Sequence, residues 1–443
     1  MSGRLTDIYS RRAGLLFSNF FFGVGNLICG LANSEWSIIL GRVVSGIGGG
    51  GLTAISTFVT SDLIPLRHRG VWQGFANICF GVGSGLGGLF GGLMNDHVGW
   101  RWAFLVQVPV LVISFIQVAF KVPAPEKKST DTTSRIKRVD FLGSTLLVAT
   151  LVVLLLGLNT GGNQVPWSHP LVVTSLPLAG VLLGIFIYVE AKVASHPVIP
   201  VHLLLNRTVA SACLTNWFGT MTVFGLLFYV ILFFQVQGYS TTASGLRLIP
   251  LAVGTAFGSM GSGILMRVTG RYLVFSHISM FLQVLSAGLT CTLNLSSPPS
   301  LPFIYFLVLG TSYGSMLTVT LVGLISAVSH EFHAVATSAS YAFRSTGSTI
   351  GITIASAVFQ NVLRSGLWSR FGDRDNAAEL ISRIRDNFEE IYKLPEDWRP
   401  GVLSTYMDSL RAVYLTLFGL AVIGALVSIG MREHVLHTNL ARR

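Results

Sequence analysis

Two arginines lie inside long apolar runs, and their positions most invite a chemical reading. Arg42 falls within Trp36–Leu63, and Arg344 falls well inside Ala334–Val358. At about 1.5 Å per helical residue, Arg344 sits roughly 15 Å deep in its run. An arginine at the centre of a membrane span costs roughly 2.5–3.5 kcal/mol on insertion scales, so such residues face a cavity or a partner and mark function. Snorkelling to the interface competes with that reading for Arg42, close to the end of its run, and fails for Arg344. Gln73 and Asn77 stand one turn apart on one apolar run, and Asn216 with Trp217 on another. These groups either line a cavity or bond helix to helix. No Ser/His/Asp or Cys/His arrangement stands out, so no catalytic residue is assigned. In His330-Glu331-Phe332-His333 the second histidine comes too early for a zinc-protease helix face. Gly46-Ile47-Gly48-Gly49-Gly50-Gly51 fits a dinucleotide pattern but lies in an apolar run with no strand before it. No Walker-type loop is present, and Cys29, Cys79, Cys213 and Cys291 lack metal-ligand spacing. The expectation is a chain without catalytic centre, metal or cofactor, and without direct use of ATP.

The elements that position these groups are membrane spans. The chain has 443 residues, 51% of them hydrophobic and only 11% charged. Soluble domains carry roughly a quarter charged residues, so an all-α polytopic membrane protein in a lipid bilayer is the class that fits. The net charge of +11 does not point to nucleic acid, because the basic residues sit in short loops between apolar runs. A span needs roughly 20 apolar residues. Twelve runs qualify: Ala13–Ala32, Trp36–Leu63, Val71–Met94, Trp102–Phe120, Phe141–Thr160, Leu171–Ala191, Val209–Phe234, Leu246–Met266, Tyr272–Leu293, Pro302–Val328, Ala334–Val358 and Ala412–Met431. Lysine and arginine crowd the loops on one side, while the short loops on the other hold Arg101 and Arg247. The positive-inside rule then puts both termini in the cytosol. The sequon at Asn294 falls on the opposite side, open to glycosylation. Residues 122–140 read as a flexible cytosolic tether. Residues 360–411 read as a long non-cytosolic loop. It holds a short amphipathic helix built on Leu380, Ile384, Phe388 and Ile391, with Asn376 and Glu379 to cap its start and Pro395 just past its end.

Glycines mark where helices are expected to touch. Gly83, Gly87 and Gly91 form a ridge four residues apart, and Ser84, Gly88 and Gly92 form a second beside it. Small residues at that spacing let helix backbones approach in a membrane. The run Gly99-Trp100-Arg101-Trp102-Ala103-Phe104 follows, ending at Pro109. An internal echo joins residues 3–11 to residues 263–271, where Gly, Leu and Arg match in register, as in transporters built from repeated halves.

Together these residues resemble the major facilitator superfamily, specifically its fourteen-helix drug:proton antiporter branch. Gly3-Arg4-Leu5-Thr6-Asp7-Ile8-Tyr9-Ser10-Arg11-Arg12 looks like the signature loop between helices 2 and 3, with Ser10 where glycine is usual. Arg42 with Gly46 and Gly48 looks like the motif of the fourth helix, whose arginine is associated with proton transfer. The glycine stretch through Gly92 looks like the antiporter motif of the fifth, with Gly88 in place of proline. The block from Ser61 and Asp62 through Arg69 to Asn77 and Ile78 looks most like fungal vacuolar basic amino acid transporters. The resemblance implies two helical halves that rock about a central site. Residues 1–120 would supply helices 3–6 of the family, residues 121–207 the tether and two linker helices, and residues 208–443 the second, six-helix half. Asp7 and Arg11 would brace the cytosolic gate, with Asp62 as a partner in the outward-open state.

The function implied is proton-coupled uptake of basic amino acids into the vacuole by a monomeric carrier. A multidrug exporter of the plasma membrane is the second reading, and a non-transporting membrane scaffold or receptor the third. Almost no acid lies inside the spans: Glu190 and Asp62 sit near helix ends. A cationic side chain therefore has no evident counter-charge. The signature loop begins almost at the first residue, whereas its second copy follows two spans of its own half. The expectation is a fourteen-helix protein whose first two helices are absent here.

Overall fold

A computed structural model describes residues 10–63, 66–122, 140–161, 165–194, 203, 205–298, 300–329, 332–373, 377–386 and 398–434. Gly3 and Asp7, like His330 and Glu331, lie outside the described residues, as do the side chains of Asp62 and Gln73.

The apolar runs fold as helices because a chain in hydrocarbon must satisfy its backbone internally. The first group comprises α1 (Arg11–Gly30), α2 (Glu35–Leu63), α3 (Leu66–His97), α4 (Trp100–Leu105) and α5 (Gln107–Lys121). Next come α6 (Phe141–Thr160) and α7 (Pro170–Tyr188), which ends in a π turn at Val189–Val193. The second group is α8 (Arg207–Val236), α9 (Thr241–Leu246), α10 (Ile249–Thr269), α11 (Leu273–Thr290), α12 (Ser300–Ser326), α13 (His333–Phe371), α14 (Ala377–Asp386) and α15 (Arg399–Ser428). Among the described residues there is no strand, and a single bridge joins Gly161 to Val165.

Eleven segments are long and apolar enough to cross a membrane, α4 with α5 and α9 with α10 each counting as one. Large apolar side chains face outward along them, Phe120 at 86% and Val268 at 77% exposure among them. A soluble protein would not present such surface, whereas lipid covers it at no cost. The protein is an integral membrane protein. The eleventh helical run expected from the sequence, now α13, is not among these segments. Its serines, threonines and Arg344 lower its hydropathy, and it packs inside the bundle against α8 and α15.

Two prolines explain the interrupted spans. Pro109 has no N–H to offer the Leu105 carbonyl, and the helix breaks at Val106 between α4 and α5. Pro250 stands at the first turn of α10, after the break at Arg247 and Leu248. The Gly99–Phe104 run proves structural. Gly99 takes φ +104, and Arg101 donates through Nε (3.1 Å) and Nη2 (2.9 Å) to the Ala32 carbonyl, tying α4 to the loop after α1.

The long loop expected over residues 360–411 proves shorter. α13 continues to Phe371 and α15 begins at Arg399, so residues 372–398 connect them. Hydropathy stops at Arg364, Arg370 and Asp408, but the backbone does not. Arg370 pairs with Asp408 at 2.9 Å, and the rings of Phe371 and Trp398 stack at 4.5 Å, closing the two helix ends together. The amphipathic helix is α14. It buries Ala377, Ile381 and Ile384, and the Tyr406 hydroxyl donates to the Ile384 carbonyl at 2.7 Å. Phe388, Ile391, Asn376 and Pro395 lie outside the described residues, as does the side chain of Leu380.

Helix pairing divides the bundle unequally. α1 packs on α2, α4 and α5, while α3 touches α4 and α2 but lies mainly against α9 and α10, with α12 beside them. α6 and α7 pack on each other, and α6 also touches α13. The tightest pair is α10 with α12, where Gly254, Gly258, Gly310 and Gly314 let backbones meet. Ser10 caps α1, its hydroxyl accepting from Ala13 N at 3.1 Å. It takes φ 134, the one positive φ of a non-glycine among the described residues. A glycine there would hold that conformation without strain.

At the other end of the chain, Glu433 caps α11 across sequence. Its carboxylate accepts from Tyr272 N at 2.8 Å and Leu273 N at 3.1 Å. The Tyr272 hydroxyl donates to the Arg432 carbonyl and meets His434 Nδ1 at 2.8 Å. Glu433→Ala should cost about 0.5–2 kcal/mol, the usual range for a lost cap. Thermal unfolding in detergent checks this, with transport retained.

Candidate functional site

Arg344 and Tyr341 stand three residues apart and so share one face of α13. The Arg344 guanidinium carbon lies 5.0 Å from the Tyr341 ring centroid, and Tyr313 on α12 stands within its electrostatic reach. The Tyr341 hydroxyl lies 3.2 Å from Thr57 Oγ1 on α2. Side chains from three helices, one of them from the first half, therefore converge. Arg344 is half-buried and Tyr313 buried. No carboxylate among the described residues pairs with Arg344. Arg344 brings a positive charge to this junction. The cation–π contact attracts the guanidinium to the Tyr341 ring.

A buried polar layer stands behind this face. Asn216 Nδ2 on α8 donates to Ser340 Oγ on α13 at 3.2 Å and to the Ala212 carbonyl at 3.1 Å. Its Oδ1 accepts from Thr320 Oγ1 on α12 at 3.2 Å. Asn216 is 1% exposed, so it bonds three helices together and does not line an open space. Trp217 supports the same seam, since a Cβ on Gly347 of α13 would sit 2.6 Å from the Trp217 carbonyl. Asn216→Ala should cost about 1–3 kcal/mol by leaving buried hydroxyls unsatisfied, with substrate KM little changed. Unfolding temperature and uptake kinetics, measured together, check that split.

Asn77 does the same between the halves. From α3 its Nδ2 reaches Ser259 Oγ at 3.0 Å on α10 and Thr318 Oγ1 at 3.3 Å on α12, and those two hydroxyls lie 2.6 Å apart. At the far end of α3, Thr242 Oγ1 donates to Asp96 Oδ2 at 2.5 Å. Polar bonds thus join α3 to α10 and α12 at one level and to α9 at another.

The remaining expected groups are scattered. Arg42 is exposed, 5.8 Å from the Phe104 ring, and does not join the Arg344 cluster. Arg11 and Arg12 open α1, both half-buried. Asn294 is exposed in a turn, its Oδ1 accepting from Ser296 N at 3.1 Å. The ridge of Gly83, Gly87 and Gly91 is corrected by the structure: a Cβ at any of them would meet nothing within 4 Å. The second ridge carries the contact. A Cβ on Gly245 of α9 would lie 2.7 Å from the Gly88 backbone, and Gly92 is buried. Equal spacing on one helix cannot tell which face meets a neighbour, and α3 turns Gly88 toward α9. Sequence reasoning also missed Tyr341, Tyr313 and Thr57. The Tyr341–Arg344 spacing was the available signal, but Tyr313 and Thr57 come from distant helices.

A family model described as Major Facilitator Superfamily matches residues 1–354. The chain is 35% identical to the multidrug resistance protein fnx1 of Schizosaccharomyces pombe, over 99% of this chain and 84% of that one. It is 34% identical to the vacuolar membrane amino acid uptake transporter fnx2 of the same yeast, over 93% of this chain and 71% of that one. Vacuolar basic amino acid transporter 2 of Saccharomyces cerevisiae is 31% identical, over 93% and 90%. Among solved structures, a bacterial homologue of the human lysosomal transporter Spinster, inward-facing and occupied, superposes with a TM-score of 0.58 at 16% identity, covering 94% of this chain and 81% of that one.

Proposed function

This chain belongs to the major facilitator superfamily, and from that premise we propose that it carries basic amino acids across the vacuolar membrane, coupled to protons, by alternating access. It is a membrane transporter by family, acting on a small-molecule substrate. The observation that carries the finer reading is the junction of Arg344, Tyr341, Tyr313 and Thr57, where a fixed charge sits between helices of both halves. A rocking motion that separates α2 from α13 would open this junction. The two vacuolar relatives support the substrate class and the membrane. Both termini lie in the cytosol on this reading, with the Glu433 cap on the cytosolic face and Asp96 on the other. A second reading, drug export, is favoured by the similarity to fnx1.

Uptake of labelled lysine, arginine and histidine into vacuolar vesicles separates the two. ATP-energised, uncoupler-sensitive accumulation above empty-vector vesicles is expected. No uptake, with drug resistance on overexpression, would establish the exporter instead.

A further inference from the structure

We propose that the Arg344 cluster binds the carboxylate of the substrate, so that transport requires a free carboxylate and not only a cationic side chain. This rests on the amino acid reading above and deepens it.

The argument begins with what the charge lacks. Arg344 lies about a third of the way along α13, in a helix that packs inside the bundle. A desolvated guanidinium wants an acceptor, and its planar fork matches a carboxylate through two parallel hydrogen bonds. No carboxylate among the described residues supplies that acceptor. Around it stand the Tyr341 ring and Tyr313, with the Tyr341 hydroxyl 3.2 Å from Thr57 Oγ1. Phenols donate as readily as they accept, so they can turn toward an incoming anion. Arginine, two phenols and a threonine hydroxyl offer donors to an anion and no fixed negative charge to a cation.

The surroundings are built to hold this geometry. Asn216 fixes Ser340, the residue before Tyr341, to α8 and α12. Three residues after Arg344, Gly347 seats α13 against Trp217 and Thr220. The helix therefore cannot rotate to carry Arg344 away without breaking these contacts. Because Thr57 comes from α2, an anion bound here would contact both halves at once.

The same chemistry answers the problem of the missing acid. A basic amino acid carries one carboxylate and two cationic groups, and this site takes the carboxylate. Selection for a free carboxylate would then come from Arg344, leaving the side chain to be read elsewhere.

The test uses the full chain in vacuolar vesicles, with labelled arginine as the probe. Agmatine and cadaverine, which lack the carboxylate of arginine and lysine, serve as competitors beside unlabelled arginine and lysine. At least about tenfold weaker competition by the decarboxylated amines is expected, since a charge-assisted bidentate contact is lost. Arg344→Gln should raise the KM for arginine by a similar factor. Arg344→Lys, which keeps the charge but not the fork, should fall between. Tyr341→Phe should raise KM less while leaving abundance in the membrane unchanged. Equal competition by agmatine and arginine on the unaltered protein would overturn the proposal while the amino acid reading stood, and needs no variant to fold. Unchanged KM in a well-expressed Arg344→Gln protein would do the same. If the unaltered protein takes up no amino acid, both readings fall.

Discussion

Arg344→Ala is expected to weaken transport at least as much as Arg344→Gln, by about tenfold or more in KM for arginine, while the protein still reaches its membrane. The charge stands far from either end of α13, where insertion scales set a cost of roughly 2.5–3.5 kcal/mol for an arginine. Removing it lifts that cost and breaks no ion pair, since no described carboxylate is bonded to it. The Tyr341 ring loses a cation at 5.0 Å, and Tyr313 loses a nearby positive charge. Against contributions of about 0.5–1 kcal/mol for a cation–π contact, folding should be little changed or slightly improved. Function is where the loss shows, because Arg344 is the fixed charge among the described residues at the three-helix junction. Uptake by vesicles carrying equal amounts of protein measures this. Full activity of the alanine variant would show that Arg344 serves neither substrate nor gate, and loss of expression would reveal a structural partner.

The contrast between Arg344 and Arg42 shows what was legible in the chain and what was not. Both stand in apolar runs, and depth alone separates them. The structure agrees with that separation: Arg42 is exposed beside Phe104, whereas Arg344 is half-buried among groups of three helices. Spans were legible because hydrocarbon demands about 20 apolar residues in succession. Their true ends were not, since helices such as α13 run past the hydropathy boundary wherever charges find partners. Arg370 with Asp408 is one such pair. The polar residues were harder. Asn77 and Asn216 are both buried, but nothing local distinguishes an amide that lines a cavity from one that bonds three helices. Only the partners decide, and Ser259, Thr318, Ser340 and Thr320 are far away in sequence.

Glycine packing gives the other large effect. Gly258→Leu in α10 or Gly314→Leu in α12 is expected to prevent folding. A Cβ at Gly258 would fall on the Thr311 carbonyl, and one at Gly314 on the Thr255 carbonyl. These are backbone atoms of paired helices, so no side-chain rotation relieves the clash. The helices would have to separate, opening the closest helix pair and the Asn77–Ser259–Thr318 bonds that lie along it. Overpacking a formed core costs typically 1–3 kcal/mol, and a backbone clash repeated along a seam costs more. Gly87→Ala provides the control. It sits on a helix as glycine-rich as any in the chain, but its Cβ direction is open. An alanine there should be tolerated and, by helix propensity, favoured by up to about 1 kcal/mol. Expression, detergent-extracted monodispersity and unfolding temperature, read side by side, check the pair. If Gly258→Leu folds as well as Gly87→Ala, then the α10–α12 approach is not what holds this half together.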